Sequence, residues 1–450
     1  MKRSWRWPLA GFLLGGLVGA TFLTVNVVGA SGPEAPPPAG AASVGEILHT
    51  PPLLARVGEP VELSFGVVCG VREEEPGSSC TPHGAAFVRA GGAADFTELP
   101  LEVEPGGELS ALVPSAQSGA GFDYYAAIDD GHGQSATLPE GGADAPQHVW
   151  PLESWTTVDV GDPRFDDVQS PSDVLGRFAW GRGDGALGLD SGREQSRIGP
   201  SAFDVAPDGS VVVLDQVNRR LVRLRSGQPA QDVPIDFDGG EGDLAVGGDG
   251  RIYVLEVSGK PLVRSFTADG APISAGPLAE PVADMVRAGP AGPLVHAYPS
   301  EMWLPTGSGR PPLTSAEQIR AAEPARRVGA DLGVVVHASR GEVKLALVRG
   351  DRIVGAWILR GPASFGEVQL AEPYGDGLLA VVRLWDEKNA VFRVLRLGPS
   401  GLVSSFSVAP SEWAETASLS RFRLHGDTLY QLRSGPGGAE IATYEIGGTR

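Results

Sequence analysis

Glycine turns at near-regular spacing constrain this chain more than any other feature of its sequence. They recur through the last 250 residues at Gly209, Gly250, Gly292, Gly333, Gly377 and Gly426, which lie 41, 42, 41, 44 and 49 positions apart. In the first copy an apolar run at 202–206 leads into a Pro-Asp-Gly turn and then into a second apolar run at 211–215. A repeat of about 40–50 residues built from short strands is typical of β-propeller blades. The sequence therefore predicts an all-β fold with a six-bladed β-propeller at residues 173–450.

The strand count predicts how the ring of blades closes. Blade one supplies four short apolar segments, whereas the last blade supplies only three. A three-stranded blade leaves an open sheet edge, which proteins avoid. The segment 174–181 precedes blade one and has no partner there, so we expect it to supply the missing strand of the last blade. In the third blade, Thr314-Ser-Ala-Glu317 resembles a capping box that opens a short helix.

The residues before the propeller predict a second β domain. Between residues 46 and 150, short alternating runs such as 61–65 recur with turns every 8–12 positions, a spacing that fits a small β-sandwich. A proline-rich linker at 31–45 precedes this domain and is expected to be extended. An acidic connector at 151–172 follows it and contains Asp159, Asp162, Asp166 and Asp167.

The first 30 residues predict export. Lys2, Arg3 and Arg6 precede a charge-free stretch at 8–28, which indicates either a cleaved signal peptide or an uncleaved membrane anchor. Both alternatives place the remaining chain outside the cytoplasmic membrane, because the positive end stays in the cytoplasm. In that compartment the two cysteines, Cys69 and Cys80, are expected to form a disulfide.

The charge of the chain limits its partners. The formal net charge is −19, which argues against nucleic acid and anionic membrane surfaces, because both attract positively charged proteins. We therefore expect membrane contact only through the N-terminal segment, where it is uncleaved. The partner is expected to be a protein or a small ligand of unknown identity.

Two local motifs resemble known families. The run Asp215-Gln-Val-Asn218-Arg-Arg220-Leu-Val resembles the Asp-x-x-Asn-x-Arg core of NHL repeats, and 178–183 resembles the aromatic-glycine lead-in of that family. Asp215 can cap the turn, and Asn218 is a residue type that tolerates a left-handed conformation. The resemblance implies an NHL-like bacterial propeller. Residues 124–139 resemble the late strands of immunoglobulin-like or fibronectin-like modules, which implies an Ig-like sandwich.

One acidic segment is the candidate metal site. Residues 236–243 combine glycines with Asp236, Asp238 and Asp243, although their order departs from that of an EF-hand loop. A solvated acidic turn is the alternative interpretation. No cofactor is predicted, and calcium is the one ion that this loop suggests.

The loops that join the second and third strands of the blades form the candidate binding face. Propellers generally bind through this face, and here its candidate residues are Arg219, Lys260, Arg340 and Trp385. Trp385 has two interpretations: an aromatic anchor for a partner, or a side chain packed on its own blade. His296 and His337 follow equivalent second strands, so we expect them at the same face, either as a site or as polar strand ends.

Two functions fit these observations. The first is an exported, non-enzymatic binding module, and it is the one we predict, because no nucleophile–base pair, metal cluster or cofactor loop occurs in the sequence. The alternative is a calcium-dependent lactonase- or esterase-like hydrolase, implied by likeness to six-bladed gluconolactonase and strictosidine-synthase-like enzymes. That alternative requires acidic side chains on the innermost strands, where Asp204 and Asp284 lie.

Overall fold

Short antiparallel strands make up most of the computed structural model, as the sequence predicts. The structure describes residues 47–447 apart from 68–80, 106, 132–134, 192–195, 238–239, 281, 298–300, 308, 339–340 and 415–420. The predicted export segment, the proline-rich linker and the predicted Cys69–Cys80 disulfide lie outside these residues. Within them, helix is limited to α1 (Ser115–Ser118), α2 (Ser315–Arg320) and a 3-10 turn at Gly142–Asp144. Neither α-helix has the length and apolar character that a membrane crossing requires.

The N-terminal strands form two sheets around one core. They are β1 (Ile47–Leu48), β2 (Leu54–Arg56), β3 (Val61–Val67), β4 (His83–Ala90), β5 (Thr97–Pro100), β6 (Glu102–Val103), β7 (Leu109–Val113), β8 (Phe122–Asp129), β9 (Ser135–Leu138) and β10 (Gln147–Leu152). One sheet has the order β1-β3-β7-β6, and the other has the order β2-β10-β8-β4-β5 with β9 also on β8. Phe65 and Leu109 from the first sheet pack with Phe122 and Tyr124 from the second. Alternate residues of β8 are buried, because side chains on a strand point to opposite faces.

The segment predicted as an acidic connector contains a strand, β11 (Thr156–Asp159). This strand pairs in parallel with a strand at residues 352–360, and Val158 is buried there. Close by, Trp150 and Leu152 pack in one apolar cluster with Val335 and Val348. The N-terminal sheets are therefore joined to the C-terminal ones by strand pairing and by a shared core, not by a free tether. The exact domain boundaries stay a prediction.

The remaining strands form six further sheets. Their strands are β12 (Asp173–Phe178), β13 (Ala202–Val205), β14 (Val211–Asp215), β15 (Arg220–Leu224), β16 (Gln231–Pro234), β17 (Gly242–Val246), β18 (Ile252–Glu256), β19 (Leu262–Phe266), β20 (Pro272–Pro277), β21 (Ala283–Gly289), β22 (Gly292–Ala297), β23 (Met302–Pro305), β24 (Arg326–Arg327), β25 (Leu332–Ala338), β26 (Val343–Arg349), β27 (Arg352–Arg360), β28 (Ser364–Tyr374), β29 (Gly377–Trp385), β30 (Ala390–Gly398), β31 (Gly401–Val408), β32 (Phe422–His425), β33 (Thr428–Gly435) and β34 (Gly438–Glu445). In chain order the sheets are β13-β14-β15-β16, β17-β18-β19-β20, β21-β22-β23, β24-β25-β26-β27-β11, β28-β29-β30-β31 and β32-β33-β34-β12.

Strands near the start of neighbouring sheets pack on one another, and the last sheet packs on the first. β13 contacts β17, β17 contacts β21, β25 contacts β28, and β32 contacts both β28 and β13. Neighbouring strands within these sheets are antiparallel, apart from the parallel pair β11–β27. This arrangement is a β-propeller, as the glycine spacing predicts.

The predicted closing strand is confirmed. β12 pairs with β34 at the outer edge of the last sheet, with Val174 opposite Ala442 and Arg177 opposite Glu440. Phe178 at the end of β12 is buried with Leu432 and Ile441. The sheet therefore combines strands from both ends of the propeller sequence, which covers an edge that would otherwise be open.

The predicted capping box also exists. The Thr314 hydroxyl accepts a hydrogen bond from the Glu317 amide, and the Glu317 carboxylate accepts one from the Thr314 amide. Gln318, which is buried, bonds the backbone of residues 277, 279 and 313. Helix α2 is thereby fixed against the outer strand of the second sheet.

The closing hairpin gives a direct test of ring closure. Gly438 has φ +146°, and a Cβ atom there would lie 2.0 Å from the Phe178 carbonyl oxygen of β12. We expect Gly438→Ala to lower the free energy of unfolding by about 2–3 kcal/mol, because it adds both backbone strain and a clash with the closing strand.

Gly437→Ala is the matched control, since a Cβ atom at Gly437 would meet nothing within 4 Å. Urea unfolding of both variants measures the difference. Equal stabilities would contradict the described closure.

Candidate functional site

Charged side chains lie where the six sheets meet. The first strand of each propeller sheet contributes one of them, in chain order Asp204, Asp243, Arg287, Arg326, Glu372 and Arg423. Three are acidic and three are basic. Charged residues in protein interiors are stable only when they are paired and hydrogen-bonded, so the partners of each decide what this centre can do.

Arg423 joins the last sheet to the first two. Its Nε donates to Asp204 Oδ1 at 3.0 Å, and its Nη2 donates to the Leu244 carbonyl oxygen at 2.8 Å. The same Nη2 lies 3.8 Å from Asp243 Oδ1. Only 6% of Arg423 is exposed. Burial and the nearby Arg287 lower the pKa of Arg423, whereas Asp204 and Asp243 oppose that shift.

The two aspartates are held by backbone amides as well as by arginines. Asp204 accepts hydrogen bonds from the amides of Val205 and Val246, at 2.8 and 2.7 Å. Burial nevertheless raises the pKa of Asp204, against the charge of Arg423 and those two amides. Asp243 is fully buried and accepts from the Val286 amide and from Arg287 Nη1, both at 2.8 Å.

A second pair completes the centre. Arg326 Nη2 lies 2.9 Å from Glu372 Oε1 and donates to the Ala371 carbonyl oxygen at 2.6 Å. The charge of Glu372 also acts on Arg423. The centre therefore holds three carboxylates and three guanidinium groups in two sets of contacts, which together we call the central ion-pair network. It balances its own charge, and its carboxylates already have partners.

The three calcium candidates do not converge in the described structure. Asp236 faces Arg264 Nη1 at 3.3 Å, with 77% of its side chain exposed. Asp243 belongs to the central ion-pair network, and Asp238 lies outside the described residues. Among the residues that the structure describes, no group of three His, Cys, Asp or Glu side chains could hold a metal ion. Calcium binding by this loop stays a prediction, and it would require Asp236 and Asp243 to leave their arginines.

The candidate partner-binding residues lie on separate loops. Arg219 and Lys260 are exposed. Trp385 ends β29 and is half-buried, and its Nε1 donates to the Phe365 carbonyl oxygen of its own sheet at 3.3 Å. Arg340 lies outside the described residues. Partner binding by these residues stays a prediction.

The Asp-x-x-Asn-x-Arg motif of the first propeller sheet stabilises a local turn. Asp215 accepts hydrogen bonds from the Gly188 amide at 2.9 Å, Asn218 Nδ2 at 2.7 Å and Arg220 Nε at 3.1 Å. Asp215 therefore stabilises the turn, as predicted. The left-handed residue of this turn is Arg219, with φ 58°, and not Asn218. The Asn218 side chain is held by Asp215 and by the Gly181 carbonyl oxygen.

A buried histidine lies between two carboxylates, which sequence reasoning did not predict. His296 Nδ1 is 2.8 Å from Asp284 Oδ1, and Nε2 is 3.3 Å from Glu301 Oε2. Burial alone would lower the pKa of His296, but the charges and hydrogen bonds of Asp284 and Glu301 raise it to about 10. His296 is thus an imidazolium at neutral pH. Because the two carboxylates flank opposite ring nitrogens, the group is suited to charge pairing and not to a shared metal.

His337 lies within the electrostatic reach of the same cluster. Burial and Lys344 lower its pKa, while Glu301 and Glu342 oppose that effect. Glu301 therefore acts on both His296 and His337. The placement of the two histidines at one face stays a prediction, and His296 is already paired with carboxylates.

A polar cleft of about 470 Å³ lies beside the closing strand, and sequence reasoning missed it too. It is lined by Arg177, Ser411, Arg433, Ser434, the glycine turn 435–438 and Glu440. Arg177 and Arg433 both contact the Glu440 carboxylate, at 3.4 and 3.2 Å. In the sequence, an arginine lies next to an apolar residue in each of the two segments, at 177–178 and at 432–433. No local spacing predicts that two segments more than 250 positions apart pair with each other.

Several solved structures resemble this chain at low sequence identity. No protein-family model matches it, and no curated protein does either. Virginiamycin B lyase from Staphylococcus aureus is 11% identical, with a TM-score of 0.34, and 57% of this chain covers 98% of that one. A protein of unknown function from Bacteroides thetaiotaomicron is 12% identical, with a TM-score of 0.33, and the match covers 91% of this chain and 99% of that one. Aldose sugar dehydrogenase from Streptomyces coelicolor is 13% identical, with a TM-score of 0.32, and the match covers 61% of this chain and 99% of that one.

The central ion-pair network predicts a large cost for removing one arginine. Arg423→Met leaves the buried carboxylate of Asp204 without its arginine, so we expect the free energy of unfolding to fall by about 3–5 kcal/mol. Arg349→Met is the matched control, because Arg349 and Asp331 form an exposed pair that should contribute at most about 1 kcal/mol. Chemical denaturation of both variants measures the two losses, and similar losses would contradict the network.

The His296 cluster predicts a pH-dependent contribution to stability. Because the pKa of His296 rises from 6.5 to about 10 on folding, its stabilisation is fully present below pH 6.5 and is lost as pH rises towards 10. The stability difference between the wild-type protein and His296→Gln should shrink over that range, since each tenfold change in proton affinity is worth about 1.4 kcal/mol.

Denaturation between pH 6 and 10 checks this trend, with His425→Gln at an exposed turn as control. A difference that stays constant with pH would show that His296 is not held as an imidazolium.

Proposed function

We propose that this protein is an exported, non-enzymatic propeller that binds a ligand or protein outside the cytoplasmic membrane. In this proposal the propeller has six NHL-like blades, and an immunoglobulin-like sandwich precedes it. Residues 1–30 direct export, either as a cleaved signal peptide or as an anchor. Six sheets between residues 173 and 445 and two sheets around one core before them support this organisation.

The central ion-pair network is the observation that carries the proposal. In the hydrolase alternative, acidic side chains on the innermost strands hold a metal or act at the reacting atoms. Here Asp204 and Asp243 face Arg423 and Arg287 and accept backbone amides. A cation would have to displace these contacts and leave buried arginines without partners, which is costly. The centre therefore favours a scaffold, with binding at other surfaces.

One observation favours the hydrolase alternative. Asp204, Asp243 and Glu372 all lie at the centre, and burial raises the pKa of Asp204. A carboxyl group with a raised pKa is the kind that serves as a general acid or base. The alternative therefore deserves a direct test of both metal binding and hydrolysis.

A thermal-shift measurement with calcium and a chelator, paired with assays on lactones and esters, separates the two functions. We expect the melting temperature to be the same with calcium and with chelator, and no hydrolysis above the uncatalysed rate. A rise of several degrees in calcium that the chelator reverses, together with hydrolysis, would contradict the proposal.

The variant Asp236→Asn/Asp238→Asn is the control for the acidic loop. A calcium shift that disappears in this variant, with no hydrolysis in either protein, would assign calcium to the loop and leave the binding function standing. A shift with hydrolysis that survives in the variant would assign the metal elsewhere and support the hydrolase.

A further inference from the structure

Among the described residues that line it, the cleft beside the closing strand holds two arginines and one carboxylate. Arg177 and Arg433 share one carboxylate, that of Glu440. These contacts use Nε of Arg177 and Nη1 of Arg433, whereas each guanidinium has five N–H donors. Nearby Glu412 is already paired with Arg383 and Arg421. A positive cleft in a chain of net charge −19 indicates an anionic ligand.

Arg433 is held in place before any ligand binds. Its Nε donates to Ser411 Oγ at 3.1 Å. Ser411 has φ 51°, and its carbonyl oxygen accepts from the Ser434 amide at 2.8 Å. The loop at 411 and strand β33 are thereby joined beneath the cleft. A fixed guanidinium loses little conformational freedom on binding, and its planar fork matches a carboxylate.

Two indole rings lie next to residues that line the cleft. Trp180 Nε1 donates to the Gly435 carbonyl oxygen at 3.0 Å, and its ring stacks with that of Trp413 at a centroid distance of 6.1 Å. The next residue after Trp413, Ala414, donates its amide to Ser434 Oγ at 2.9 Å. Both tryptophans are therefore tied to residues that line the cleft.

An exposed arginine covers one of these rings. The Arg197 guanidinium lies 4.5 Å from the centre of the Trp413 ring, and Arg197 is exposed. Electron-rich indole faces attract cations and polarised C–H groups. A ligand that packs on this ring face would have to displace Arg197, which is exposed.

We propose that this cleft binds an acidic saccharide. The carboxylate of a uronic acid pairs with Arg177 and Arg433, and the C–H face of the sugar ring packs on the Trp180–Trp413 pair. The volume of about 470 Å³ lies in the range of small-molecule sites, roughly 300–1,000 Å³. The inference rests on the proposed binding function and names its ligand class.

Calorimetric titration of the purified full chain with trigalacturonate tests the proposal, with galactotriose and inorganic phosphate as comparison ligands. We expect binding of trigalacturonate and quenching of tryptophan fluorescence, with at least tenfold weaker binding in Arg433→Gln. Arg177→Gln is the second variant, because 74% of the Arg177 side chain is exposed and the change should leave folding intact. Arg349→Gln removes one positive charge elsewhere and should bind as the wild type does.

The other possible outcomes each contradict a specific part of the proposal. Absence of trigalacturonate binding, equal binding of galactotriose, or unchanged affinity in Arg177→Gln and Arg433→Gln would overturn the acidic-saccharide site. Phosphate binding as tight as that of trigalacturonate would identify a simple anion site instead. Release of new reducing ends from trigalacturonate would overturn the non-enzymatic function separately, while binding that depends on Arg433 would keep the ligand class.

Discussion

The contact between Arg423 and Asp204 is the constraint on which the propeller depends. It joins the last sheet to the first, and the same guanidinium bonds the Leu244 carbonyl oxygen of the second sheet. At the opposite edge of that last sheet, β12 pairs with β34. The ring is therefore closed twice, by buried charge at its centre and by a strand pair outside. Removing either closure exposes a sheet edge or leaves a buried ion without its partner.

The charged groups at the two closures are arranged differently. The carboxylates at the centre are held by arginines and by backbone amides. Beside the closing strand, Arg177 and Arg433 both contact Glu440 and line a cleft. The N-terminal sheets are coupled to the same body through β11 and through Trp150. A ligand in the cleft would thus contact the strands that close the ring, and its binding energy would add to the stability of the propeller.

Local signals in the sequence were readable, and long-range ones were not. The glycine turns, the capping box at Thr314 and the closing strand each depend on a pattern within a few residues or on a simple strand count. The pairing of Asp204 with Arg423 spans 219 positions and follows only from the closed ring. β11 was read as an acidic connector because its four residues form a strand only against β27. The residue type at Asn218 tolerates a left-handed conformation, but in the structure its neighbour Arg219 adopts it, while the Asn218 side chain bonds Asp215 and the Gly181 carbonyl oxygen.

A double-mutant cycle between Asp204 and Arg423 tests the central claim most directly. Unfolding free energies of the wild type, Asp204→Asn, Arg423→Met and the double variant give the coupling between the two side chains. The account predicts a coupling of about 1.5–3 kcal/mol, because a second change costs little once the pair is broken. Losses that add to within about 0.5 kcal/mol would show that the two residues do not interact. That result would contradict closure of the ring by buried charge.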